Sequence, residues 1–290
     1  MKTGGRNTAC FLNKYQKGET TLPDKTRRPV LSISLLCSNR KDTTKKCLDS
    51  LKMIMNQIDS ELIIVDTGCD DEMRELVNKY TDRVIPFTWC NDFSKARNAG
   101  LEQCSGEWFL YIDDDEWFDN VDEIVQFFQS GEYKNYTQAH YIQRNYHDLD
   151  GKTYEDSWVS RMIQLQKDTH FCSSIHEYLE PVGEHQKILH SYVNHYGYIF
   201  RSAEEKYRHS KRNISLLLEM LKKERGNLRW WVQLAQEYAG IQEYRKLADL
   251  CTEGITFIKK ENRPYINAER GAFYAAKLKS ELATFQLEEA

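Results

Sequence analysis

Residues 111–118, YIDDDEWF, set a short apolar strand directly against three consecutive aspartates, Asp113, Asp114 and Asp115. Like charges at that spacing repel, and a strand end gives them little shelter. Either water or a cation must answer them. On an extended strand Asp113 and Asp115 share one side while Asp114 points the other way. Two carboxylates on one side suit Mg2+ or Mn2+, which take oxygen ligands and commonly share them with substrate phosphates. A solvated acidic loop opening a helix accounts for the same pattern, because Asp119, Asp122 and Glu123 follow and acids favour a helix N-terminus. Spacing alone leaves both readings open.

Working outward, EWFLYI (107–112) is the last of four strand-like segments, after VLSISLLCSN (30–39), ELIIVDTG (61–68) and RVIPF (83–87). The first two are almost wholly apolar, as strands buried on both faces are. Between them runs DTTKKCLDSLKMIMNQI (42–58), with Cys47, Leu51, Ile54, Met55 and Ile58 at helical spacing and Asp42 or Thr43 as N-cap. DEMRELVNKY (71–80) and DFSKARNAGLEQCSG (92–106) are predicted helices, the latter opening near Asp92 and stopped by Gly106. Strand–helix alternation of this kind predicts βαβ units around a parallel sheet, with ligands at the carboxyl ends of the strands. Asn39, Asp66, Asp92 and Asp113 fall at or near those ends, on one rim.

From about residue 138 to 200 the pattern changes to strands of mixed alternation, AHYIQRNYHD, WVSRMIQLQ and ILHSYVNHYGYIF, with turns at DLDGK and PVGEH. After Arg201 the chain reads as helix throughout. Trp231, Leu234, Tyr238, Tyr244, Ala248 and Gly254 approximate one tetratricopeptide unit, with Leu247 where that repeat prefers alanine. One such hairpin is below the usual minimum of three, so it must dock on its neighbours.

The length, 290 residues, favours two domains. Composition, 40% hydrophobic and 29% charged, makes disorder a poor description. No apolar run approaches the roughly 20 residues that span a bilayer, and the N-terminus lacks an apolar signal core. The eight cysteines form no Cys-x-x-Cys pair, which speaks against zinc and for a reducing, cytoplasmic setting. Residues 1–29 carry 7 basic against 2 acidic side chains, residues 30–200 carry 16 against 29, and residues 201–290 carry 17 against 13. A middle segment so acidic repels a nucleic-acid backbone, yet accepts a small anionic ligand that arrives with a metal.

The order CSNR, VDTG, DFSKARNAG and GEWFLYIDDDE resembles the family-two glycosyltransferases, over about residues 30–200 and most specifically over ARNAGLEQCSGEWFLYIDDDEWF (96–118). The resemblance implies an α/β, Rossmann-like GT-A domain at 30–200 that binds a nucleotide sugar. It implies a polar basic extension at 1–29 and a tetratricopeptide-like helical region at 201–290. By it, Asn39 and Asp66 contact the base or ribose, Asp92 and Arg97 lie on the donor side, and Asp113 binds ribose or metal. Asp115 becomes the principal ligand of Mn2+ or Mg2+. Asp114 stands where the family usually has a small neutral residue. A second stretch, SRMIQLQKDTHFCSSIHEYLEP (160–181), resembles the Arg-Leu-Phe…Ile-His-Glu segment of bacterial members with tetratricopeptide helices downstream. On that match Glu177 is the base that deprotonates an acceptor hydroxyl, with Asp156 in YEDSW as the competitor. His195, in VNHYGYIF, is a third metal or diphosphate contact on the same resemblance.

Each assignment has a plainer counterpart. Asp66 caps a turn, Arg97 forms a structural ion pair, Glu177 is a surface carboxylate, and His195 a satisfied core residue. Trp117 and Trp158 stack on a sugar or simply pack, and the basic helix KYRHSKR (206–212) reaches a phosphate or faces solvent. The reading that results is an inverting, metal-dependent transferase using a UDP-sugar. Its acceptor is a glycan, a lipid-linked precursor or a peptide, and its C-terminal helices offer a surface for self-association. The alternatives are nucleotidyl transfer, for which CSNRKD makes a poor phosphate loop, and an inactive GT-A scaffold beside recruiting helices.

Overall fold

A computed structural model describes residues 28–197, 199–200, 202–261, 271, 274–278 and 280–281. The basic extension up to residue 27 and most of the last expected helix lie outside them. The first half alternates as its periodicity requires: β1 (Leu31–Cys37), α1 (Lys41–Met55), β2 (Ser60–Asp66), α2 (Asp71–Val77), β3 (Val84–Pro86), α3 (Phe93–Leu101) and β4 (Trp108–Asp113). There follow β5 (Glu116–Phe118), α4 (Asp122–Gln129), β6 (Gln138–Tyr146), β7 (Tyr154–Gln164), β8 (His170–Cys172), β9 (Tyr178–Glu180) and β10 (Gln186–His195). Three long helices follow, α5 (Ala203–Lys223), α6 (Leu228–Gly240) and α7 (Tyr244–Glu261).

Eight strands form one sheet in the order β3-β2-β1-β4-β7-β6-β10-β5. The first four are mutually parallel. Their register sets Cys37 beside Asp66 and Leu36 beside Asp113, so the acids do meet on one rim. β7 then pairs antiparallel with β4, and the sheet curls on through β6 and β10 to β5. β8 and β9 make a separate two-stranded hairpin.

One face of the sheet buries Trp108 and Leu110 against Leu48 and Leu51 of α1, Met73 of α2 and Phe127 of α4. Each such side chain contributes roughly 1.5–3 kcal/mol on leaving water. The other face packs Phe109 and Tyr111 on Phe171 and Leu179 of the β8–β9 hairpin. A third cluster, around Trp230, Trp231, Leu234 and Leu247, is the helical region's own, but Ile175 is buried in it and Phe93 packs on its side. The hairpin tip and the start of α3 are thereby anchored to the helices.

Two boundaries differ from expectation. α1 begins at Lys41, before the expected caps Asp42 and Thr43, and its N-cap position falls to Arg40, whose guanidinium has no acceptor for the free N–H groups and bonds Asp114 instead. α3 ends at Leu101, well before Gly106. Gly106 instead serves close approach: a Cβ there would come within 2.6 Å of the Ser32 backbone nitrogen in β1.

Candidate active site

The aspartates line a cavity of about 880 Å3 bounded by the sheet rim, the β8–β9 hairpin, α5 and α6. The chain leaves β4 at Asp113 and turns at once through Asp114 and Asp115 into β5, so strand alternation does not extend along the triplet. Arginines answer the charges. Arg97, buried in α3, donates to Asp113 through one terminal nitrogen and, through Nε, to Glu177 Oε1 at 2.6 Å. Arg161 Nη2 lies 2.8 Å from the other Asp113 oxygen and 3.2 Å from Oε1 of the fully buried Glu116. The Tyr111 ring lies against both guanidinia, at 4.8 and 4.6 Å. Burial opposes the Asp113 charge, but Arg161 and Arg97 outweigh it and hold its carboxyl far below the usual carboxylate range.

Arg40 meets the other two acids. Its Nη1 lies 3.2 Å from Asp114 Oδ1 and bonds Asp115 Oδ2. Asp114 is held further by the Ser38 backbone N–H and hydroxyl, at 3.0 and 2.9 Å. Burial pushes the Asp115 carboxyl up to about 6, against the pull of Arg40 and His195. Asp114 is raised by burial too.

Asp115 Oδ1 faces His195 Nε2 at 3.9 Å. Asn145 Oδ1 lies 2.6 Å from His195 Nδ1, which turns the other ring nitrogen toward Asp115. Gly197 closes the space: a Cβ there would fall 2.4 Å from His195 Nε2 and 2.8 Å from Asp115 Oδ2. One carboxylate and one imidazole facing each other over a bare glycine fit a divalent ion of the Mn2+ kind.

The remaining expected residues, Asp66, Asn39, Asp92 and Asp156, are not on the cavity wall. Asp66 Oδ1 accepts from the backbone of Gly68 and Cys69 at 2.9 and 2.6 Å, and Oδ2 from Arg74 Nε at 2.8 Å. Asn39 ties two rim loops together, donating to Gly68 O at 3.1 Å and accepting from Asp70 N at 2.7 Å. Asp92 caps α3, accepting from Lys95 N at 3.0 Å. Ser38 and Thr67, beside them in sequence, do line the cavity. Asp156 is held by Arg144 through two bonds of 2.9 Å, with Tyr154 and Tyr192 against the guanidinium, away from the cavity.

Trp158 lines the cavity, whereas Trp117 stacks on Tyr196 with centroids 5.4 Å apart. His176 also faces in, with its Nε2 buried without a partner and its carbonyl bonded by Arg229 at 2.8 Å. Arg40 and Arg161 were not singled out from sequence. Their partners are 75 and 48 residues away, and only the fold brings them together.

With this geometry in view, residues 32–208 match the family described as glycosyl transferase family 2, and the chain belongs to it. The curled mixed sheet followed by helices is the GT-A arrangement that the resemblance implied. The chain is 27% identical over 271 residues, 88% of its length, to the SPbeta prophage-derived glycosyltransferase SunS of Bacillus subtilis (strain 168). It spans 58% of that protein. Among solved structures it resembles S. aureus TarS, at 14% identity and a TM-score of 0.47, covering 88% of this chain and 55% of that one. Mannosyltransferase PcManGT from Pyrobaculum calidifontis, solved with GDP-Man and Mn2+, gives 11% identity and a TM-score of 0.47, with 91% and 90% covered.

Proposed function

We propose that this chain is the catalytic part of an inverting glycosyltransferase that moves a sugar from a nucleoside diphosphate donor, a UDP-sugar, to an acceptor hydroxyl. The observation that carries the reading is one relationship: Glu177 and Asp115 line the same cavity, and Arg97 ties Glu177 to Asp113, two residues before Asp115. A volume of about 880 Å3 suits a ligand of nucleotide-sugar size.

In this reading Glu177 takes the proton of the acceptor hydroxyl as its oxygen attacks the anomeric carbon. The bond from that carbon to the diphosphate oxygen breaks on the opposite face, so the anomeric centre inverts. Arg97 orients Glu177 by holding its Oε1. Asp115 and His195, with Asp113 beside them, would hold Mn2+ or Mg2+, which when bound offsets charge on the departing nucleoside diphosphate. Asp66, Asn39, Asp92 and Asp114 shape the rim where base and ribose would lie. Asp156, already in a two-bond ion pair, ranks behind Glu177 as base. The GT-A unit at 30–200 and the tetratricopeptide-like region from 201 share the cavity wall, and the acceptor, be it glycan, lipid-linked precursor or peptide, enters between them.

The test is a nucleotide-sugar panel with Mn2+, reading release of the nucleoside diphosphate and anomeric configuration by NMR. Release from a UDP-sugar, lost in Asp115→Asn and Glu177→Gln, supports the proposal. Turnover of nucleoside triphosphates instead would point to nucleotidyl transfer, and silence on every donor to a binding scaffold.

A further inference from the structure

We propose a second metal site, of the zinc kind, on the outer side of the β8–β9 hairpin, formed by His170, Cys172 and Glu180, which braces the loop that presents Glu177. His170 and Cys172 are two apart on one strand and so share a side, and Glu180 is the cross-strand partner of His170. One ligand atom from each falls within 4.8 Å of the others. Cys172 Sγ is 3.3 Å from His170 Nε2, and Glu180 Oε2 is 4.0 Å from that nitrogen. Bonds of about 2.0–2.3 Å in a tetrahedral shell set ligand atoms roughly 3.3–3.8 Å apart. A small rotation of the exposed His170 and Glu180 side chains therefore closes the set.

An independent feature prepares the histidine. His170 Nδ1 lies 2.7 Å from the carbonyl oxygen of Asp168. A carbonyl can only accept, so Nδ1 carries the proton and Nε2 presents its lone pair toward Cys172 and Glu180. A backbone carbonyl fixing the tautomer in this way is the usual support of a metal-bound imidazole. Thiolate, imidazole and carboxylate together favour Zn2+ over Mn2+ or Mg2+, and a set assembled across two strands from a single cysteine needs no Cys-x-x-Cys pair, the absence of which spoke against zinc in the sequence. The thiol releases its proton to solvent as the ion binds.

The location gives the site a use. Residues 173–177 connect the two strands, and Ser173 and His176 in that loop hold φ of 77° and 50°, a region disfavoured for residues with a side chain. An ion bridging His170 and Glu180 would lock the base of the loop and limit its excursions.

The probes are Co2+ and Zn2+ alone, added to the metal-stripped chain. Wild type and Asp115→Asn should both show the near-ultraviolet charge-transfer band of a cobalt thiolate. Cys172→Ser should lack the band, and His170→Ala should bind at least about tenfold more weakly. Melting temperatures in EDTA matching wild type would show that both variants fold, and His170→Ala serves if Cys172→Ser does not. Hydrogen exchange of the 173–177 amides should slow several-fold with Zn2+ in wild type only. No band at saturating Co2+, or a band surviving Cys172→Ser, overturns the site. Unchanged exchange overturns the bracing role.

Discussion

Arg97 Nε donates to Glu177 Oε1 across 2.6 Å, joining the fifth residue of α3 to a hairpin loop 80 positions later. The same guanidinium bonds Asp113, so one buried cation fixes the spacing between the acid at the strand tip and the acid on the loop.

Removing that cation leaves two acids without their shared partner. Arg97→Ala is expected to destabilise the fold by about 3–5 kcal/mol, as breaking a buried ion pair does. Urea denaturation measures it. A loss under about 1 kcal/mol would mean the acids relax freely into water.

Glu177→Gln keeps the shape of the side chain and removes its basicity. Transfer should fall by about 10²–10⁴-fold with donor affinity within about threefold of wild type. Isothermal titration with the UDP-sugar separates the two effects. A parallel loss of donor affinity would assign Glu177 to binding rather than proton transfer.

Arg40 is the resident cation of Asp114 and Asp115. Its removal should lower the melting temperature in EDTA and raise Mn2+ affinity by roughly tenfold, since about 1.4 kcal/mol of competing attraction is lost. Mn2+ should restore the melting temperature. Thermal scans with and without the ion test this, and an unchanged Mn2+ affinity would show that Arg40 and the metal do not compete.

Acid should weaken the fold through His209. Burial first, then the nearby charges of Arg212 and Arg40, push its imidazole from 6.5 down to about 4, with Glu205 opposing and His176 adding to the shift. A lowered histidine pKa favours the folded state above the unfolded value of 6.5, and that contribution is lost as pH falls toward 4. Allowing for partial exposure, about 1–2 kcal/mol should disappear between pH 7 and pH 5. His209→Gln should lose less over the same interval, measured by urea denaturation at both values.

The central strands were legible because parallel strands with covered faces are continuously apolar, as the burial of β1 and β4 shows. The rim followed, since strand ends must converge where registers match. The three-residue strands β5, β8 and β9 offer too few positions for any period to appear. Alternation misjudged Asp114 because the turn begins immediately after Asp113. The arginines escaped notice for a different reason. An acidic triplet announces that a cation is needed, but nothing in its spacing says that Arg40 and Arg161, from distant segments, will supply it.

Ile175, two residues before Glu177, is sunk among the side chains of α5 and α6. Swapping in a helical module from a relative would therefore disturb more than whatever those helices recruit. Unless its inner surface reproduced the socket for that isoleucine, the chimera would misplace its own carboxylate, so the hairpin loop and the helices that hold it must diverge in step.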